Sequence, residues 1–143
     1  MTKKITIVEG NHPGLVRYEN GVIYGAAESF AACLHLLDPH LTFHIIRPHF
    51  ESFVLDEMHF DDCDGVVFTG SANRWSADEA PAAPARDVMA KAFEAHIPVF
   101  GSCYGLQLAV AALGGQNRAH ETCLLYTSPS PRDLSTSRMP SSA

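Results

Sequence analysis

The sequence predicts an α/β fold: a doubly wound, mostly parallel sheet with helices on both faces, in a flavodoxin-like three-layer arrangement. Three observations point there. Short β-branched or apolar runs alternate with stretches of helical period, the pattern of a parallel sheet built from crossover units. The run Gly65-Val66-Val67-Phe68-Thr69 is almost wholly apolar, as a strand covered on both faces tends to be. The segment Ile97 to Gln107 passes from a strand-like run into a helix-like run across two glycines and a cysteine, a corner that such sheets place at the carboxyl ends of their strands.

Taken in order, Lys4-Ile5-Thr6-Ile7-Val8 is the first strand and Glu9-Gly10-Asn11-His12-Pro13-Gly14 the loop that ends it. Phe30, Leu34 and Leu37 recur at four and three, with Ala27, Ala31 and Cys33 nearby, so an amphipathic helix is expected up to Asp38-Pro39, with Cys33 a core residue. Leu41 to Ile46 is a second strand, stopped by Pro48. The sequence admits a short helix around Phe53 to Met58. The acidic run Asp61-Asp62-Cys63-Asp64 lacks the alternating spacing of a cation-binding loop, and is expected to be a solvated turn before the strand at Gly65 to Thr69. Ser76-Ala77-Asp78-Glu79 opens a helix with Pro81 and Pro84 in its first turns, where a missing N–H costs least, and Val88, Met89, Ala92 and Phe93 form its buried stripe. A final helix closes at Gly114-Gly115.

Composition narrows the function. A chain of 143 residues allows one domain with a sizeable core. A formal charge of −6 without any Lys/Arg cluster argues against nucleic acid held on a basic face. The longest apolar stretch, Leu106 to Leu113, contains Gln107 and is too short to span a bilayer, and the start does not read as a signal peptide. Neither a membrane nor a nucleic-acid partner is expected. Cys33, Cys63, Cys103 and Cys123 form no Cys-x-x-Cys pair, and His40, His44 and His49 are spaced too loosely for a zinc site. No metal and no cofactor are expected, and a reducing cytoplasm is the simplest location.

The corner carries the chemistry. Reversing the chain from strand to helix strains the corner residue and demands small neighbours, which Gly101 and Gly105 supply. Cys103 would then project above the sheet beside the first turn of the following helix, whose free N–H groups and dipole favour an anion. The loops after Val8, Thr69 and Phe100 would share that edge.

Gly101-Ser102-Cys103-Tyr104-Gly105-Leu106-Gln107 resembles the Gly-x-Cys-x-Gly-x-Gln motif of the class I glutamine amidotransferases. Its Cys-Tyr-Gly-x-Gln form is similar to that of the GMP synthase amidotransferase domains. The resemblance implies that Cys103 is the catalytic nucleophile of a glutaminase, cleaving the side-chain amide of its substrate glutamine through a thioester and delivering ammonia to a synthase partner or domain. It implies an oxyanion hole of backbone N–H groups from Gly70 or Ser71 together with Tyr104, and a role for Gln107 in holding the substrate. Thr69-Gly70-Ser71-Ala72 stands where the family commonly has Ser-Gly-Gly-Pro, with Ser71 replacing the second glycine and Ala72 the proline. The rival readings are a γ-glutamyl peptidase or hydrolase on the same fold, and a non-catalytic binding module that keeps the elbow as scaffold. The family's general base comes from a His-x-Glu downstream of the nucleophile. None follows Cys103, and His120-Glu121 has the wrong spacing, so the chain as it stands is expected to be inactive.

After Thr122 the character changes. Cys123 to Asp133 is similar to an in-frame translation of a transposase-type sequencing adapter, and Ser137 to Ala143 to the primer that follows it. Residues 123–143 are therefore expected to be a non-native, disordered scar, rich in serine and proline. Residues 1–122, with a net charge of −7 once Arg132, Arg138 and Asp133 are set aside, are expected to be the front portion of a longer amidotransferase domain, its sheet incomplete at the C-terminus.

Overall fold

A computed structural model describes residues 2–118. Its elements are β1 (Lys4–Val8), β2 (Arg17–Glu19), β3 (Val22–Tyr24), α1 (Ala26–Leu37), β4 (Thr42–Ile46), β5 (Gly65–Phe68), α2 (Ala83–Glu94), β6 (Val99–Gly101) and α3 (Tyr104–Ala112). Four strands form one parallel sheet in the order β4-β1-β5-β6. Their carboxyl ends are level, since Val8 pairs with both Ile46 and Phe68, and Phe68 with Gly101. From β1 the chain crosses to β4 on one side, then to β5 and β6 on the other. Right-handed crossovers in opposite directions lie on opposite faces, and they open a crevice between the ends of β1 and β5. This is the α/β doubly wound arrangement that the alternating pattern predicts.

The face under α2 and α3 holds most of the core. Val8, Val66 and Phe68 point to it and pack with Val88, Met89, Tyr104 and Leu108. The predicted stripe of α2 is buried at Val88, Met89 and Ala92, with Phe93 packed at its margin. The helix itself starts at Ala83, after a 3-10 turn at Ala80–Ala82, because Pro81 and Pro84 fit only at helix beginnings. α3 ends with Gly114 at φ 87° and with Gly115 N–H donating to Val110 O, the αL closure expected of Gly114-Gly115.

The other face differs from expectation. α1 forms where predicted, yet among its residues only Ala27 is fully buried, and Leu36 and Leu37 are 83% and 82% exposed. Cys33 is exposed rather than a core residue. It sits roughly 120° round the helix from Ala27, off the line through Ala27, Ala31 and Leu34 that faces the sheet. The stretch 53–58 holds a 3-10 turn at Leu55–Glu57, braced by Lys91 Nζ on the carbonyls of Leu55 and Met58, in place of a helix. Asp61 to Asp64 is a solvated turn, with Asp64 accepting from Lys4 N–H at 2.8 Å. The hairpin of β2 and β3 escapes a reading by hydrophobic period, though its turn is written in Asn20-Gly21. Both have positive φ, 51° and 78°, which suits the twist of a two-residue hairpin loop. Residues 123–143 lie outside the described residues.

Candidate active site

The corner between β6 and α3 has the strained geometry its glycines imply. Cys103 has φ 54° and ψ −104° and is the N-cap residue of α3. Such a conformation costs a non-glycine residue about 1–3 kcal/mol and persists only where its surroundings over-determine it. Here they do. A Cβ on Gly101 would lie 2.7 Å from the carbonyl carbon of Gly105, and one on Gly105 would lie 2.6 Å from Phe68 O. β6, α3 and β5 therefore close on one another without room for a methyl group, and Ser102 N–H donates to Phe68 O at 3.0 Å to lock the turn. Cys103, between them, is exposed.

The loop after β5 lies against it. A Cβ on Gly70 would sit 3.5 Å from Cys103 Cβ. Among the described residues the backbone N–H groups of Gly70, Ser71 and Tyr104 donate no hydrogen bond, while those of Ala72 and Asn73 go to Asn11 Oδ1 and Ser71 Oγ. Ser71, which replaces a glycine of the resembled motif, thus uses its hydroxyl to close its own turn, and its N–H stays open. The N–H of Tyr104 at the start of α3 and those of the loop packed against Cys103 are thus open donors. Gln107 follows Cys103 by four residues, on the same side of α3. Its side chain is exposed and makes no hydrogen bond among the described residues, while its backbone carbonyl accepts from Asn117 Nδ2 at 3.0 Å.

Tyr104 is buried, and its ring reaches residues that sequence reasoning passed over. Trp75 Nε1 donates to Tyr104 Oη at 3.2 Å, and His49 Nε2 lies 3.3 Å from the same oxygen. Burial, then the neighbouring His12, push the His49 imidazole down from 6.5 to about 4. Burial pushes the Tyr104 hydroxyl up against the bond from Trp75. Near neutral pH the histidine is uncharged and the phenol protonated. Indole only donates, so Tyr104 Oη accepts from Trp75, and the direction of its bond with His49 Nε2 follows the histidine tautomer. The rings of His12, Trp75 and His49 pack at centroid distances of 5.3 and 5.5 Å, lining a cleft of about 500 Å³. His49-Phe50-Glu51 is a His-x-Glu lying upstream of the cysteine, and its ring meets Tyr104 and Trp75. The available signal was position: His49 follows the carboxyl end of β4, at the edge where such sheets build their sites.

Beneath the loops is a buried charge. Glu9, wholly enclosed, accepts from Ala26 N–H, Ala27 N–H, Asn11 Nδ2 and Arg47 Nη1. Arg47 also binds Glu28, which accepts from Gly25 N–H at 2.8 Å. Burial alone would raise the Glu28 carboxyl, but the bonds from Arg47 and Gly25 and the guanidinium charge outweigh it and hold it low. Among the described residues no group of three or more His, Cys, Asp or Glu side chains is placed to hold a metal ion, and no helix is long and apolar enough to cross a membrane.

Comparison with known proteins gives a consistent picture. The family model described as glutamine amidotransferase class-I matches residues 28–139. The chain is 37% identical over 67 residues to GMP synthase (glutamine-hydrolyzing) of Photobacterium profundum, covering 46% of the chain and 12% of the relative. It is 43% identical over 51 residues to the enzyme of the same name from Methylobacillus flagellatus, covering 36% of the chain and 9% of the relative. The chain thus spans a small part of the length of these relatives.

Proposed function

The chain belongs to the class I glutamine amidotransferases, and from that premise we propose that it is a glutaminase module that releases ammonia from glutamine for a synthase. The observation that carries the reading is the placement of Cys103, strained, exposed and capping α3, against Gly70 with free backbone donors on either side. The Cys103 sulfur attacks the amide carbon of the glutamine side chain. The carbonyl oxygen takes up the displaced electron pair and is held by Tyr104 N–H and by Gly70 or Ser71 N–H. As the oxyanion collapses, the C–N bond breaks, and nitrogen leaves as ammonia after gaining a proton. Water then attacks the thioester, giving glutamate and restoring the thiol. Gln107 contributes to holding the substrate.

Proton transfer at the leaving nitrogen and at the attacking water needs a positioned base, worth roughly 10²–10⁴-fold. No His-x-Glu follows Cys103, and His49 engages Tyr104. The 143-residue chain is therefore expected to form a covalent adduct at Cys103 with a glutamine analogue but to show no measurable turnover. Ammonia release from glutamine, adduct mapping by mass spectrometry, and Cys103→Ala test this together. Iodoacetamide should label Cys103 ahead of Cys33, although both are exposed, and ahead of Cys63, whose sulfur is half-buried on Gly65 O. Equal labelling of Cys103 and Cys33, or an adduct that survives in Cys103→Ala, refutes the nucleophile assignment. Steady turnover by the chain would put the base among its own residues.

A further inference from the structure

The loop after β5 is hydrogen-bonded to a second loop, remote in sequence. Four hydrogen bonds join the two: Gly10 N–H to Thr69 Oγ1 at 2.9 Å, Ala72 N–H to Asn11 Oδ1 at 3.2 Å, Asn73 Nδ2 to Gly10 O at 2.7 Å, and His12 N–H to Asn73 Oδ1 at 3.1 Å. They fall on both flanks of Gly70 and Ser71 and on neither N–H of that pair.

The two asparagines cannot be turned over without loss. Asn11 gives its amide nitrogen to the Glu9 carboxylate at 2.9 Å, so its oxygen must face Ala72 N–H. Asn73 faces a carbonyl with its nitrogen and an N–H with its oxygen, and a flipped amide would set like against like. Glu9 is itself fixed by the N-terminus of α1 and by Arg47. Orientation therefore passes from a buried carboxylate through Asn11 to Ala72. With Ala72 N–H drawn toward Asn11, the open donors beside Cys103 are those of Gly70 and Ser71.

We propose that Asn11 and Asn73 are positioning residues that aim the Gly70 and Ser71 N–H groups at the developing oxyanion; this rests on the glutaminase reading above. An oxyanion hole acts only if its donors are set before the charge forms. Iodoacetamide alkylates a thiol by direct displacement and forms no oxyanion, whereas a chloromethyl ketone analogue of glutamine reacts through a tetrahedral adduct whose oxygen needs those donors. The ratio of the two rates at Cys103 therefore separates aiming from mere folding.

The experiment measures both rates on the 143-residue chain and on Asn11→Ala, Asn73→Ala and Asn73→Asp. Asn73→Asp keeps the acceptor for His12 N–H and replaces the donor to Gly10 O by a carboxylate oxygen. Where Asn73→Ala does not fold, Asn73→Asp decides. The ketone rate is expected to fall roughly 10–100-fold, given that removal of one oxyanion donor costs about 10²–10³, with the iodoacetamide rate within about twofold of the parent. A matching fall in both rates, or no fall in either, overturns the proposal. The ketone is used as both enantiomers. Equal rates for the two on the parent chain would count against glutamine as substrate, yet a selective loss of ketone reactivity in the variants would still support the positioning role.

Discussion

The two stretches that meet at Cys103 are held by different physics. The corner from β6 to α3 is set by close backbone contact at Gly101 and Gly105, within a few residues of the cysteine and against the neighbouring β5. The loop from Gly70 to Asn73 is held by side-chain hydrogen bonds from residues 61 to 63 positions away. A steric device is written locally and fails abruptly. A hydrogen-bond device spreads over many partners, so each single loss is partial, and its parts can only be recognised once the chain has folded.

A methyl group added to each stretch separates the two devices. Gly105→Ala puts a Cβ 2.6 Å from the backbone of Phe68, which cannot yield, and should cost about 3 kcal/mol or more in urea denaturation. Gly70→Ala meets only ordinary contacts, at 3.5 and 3.7 Å, and should cost roughly 1 kcal/mol or less. Equal costs would show that the corner is not the tighter of the two.

Arg47→Met tests the buried end of the hydrogen-bonded device. It leaves Glu9 enclosed without its cation, and breaking such a pair typically costs about 3–5 kcal/mol. The N–H groups of Ala26 and Ala27 still neutralise part of that charge, so about 2–3 kcal/mol is expected. Glu9→Gln in the same background should recover part of the loss. Failure to do so would mean that Arg47 acts by packing alone.

The smallest effect is a dependence on pH. The folded His49 titrates at about 4, against 6.5 ordinarily. Between these values the unfolded chain holds the extra proton, so stability falls as pH drops from 6.5 towards 4. Glu28, held below its ordinary range, adds a loss at lower pH, as its carboxylate is protonated. His49→Gln should flatten the upper part of that acid limb by roughly 1–2 kcal/mol, allowing for solvent at the ring edge. Thermal melts at about pH 7 and pH 5, on either side of the ordinary histidine range, would show it, and an unchanged difference would indicate that the ring is solvated.

The alternation of strands and helices, the stripe of α2, the closure at Gly114-Gly115 and the strained cysteine between two glycines were legible in one dimension. Each depends on residues near in sequence, whose spacing or lack of a side chain restricts the backbone directly. How much of each helix is buried depends on packing between distant elements. α1 and α2 have the same length, 12 residues, yet α2 buries four residues and α1 one. Spacing reports an apolar stripe, but burial depends on what packs over it: among the described residues α2 lies beside α3, whereas α1 touches chiefly β1 and β3. Cys33 was misplaced because it lies round the helix from the face of α1 that meets the sheet. The roles of Glu9, Arg47, Asn11, Asn73, His49 and Trp75 were likewise invisible in one dimension, because a polar side chain acquires direction only from partners that folding brings to it. The loops that carry Glu9, Asn11 and Asn73 were expected at the site's edge, and His49 lies just past the end of β4, but the partners of these side chains were not legible.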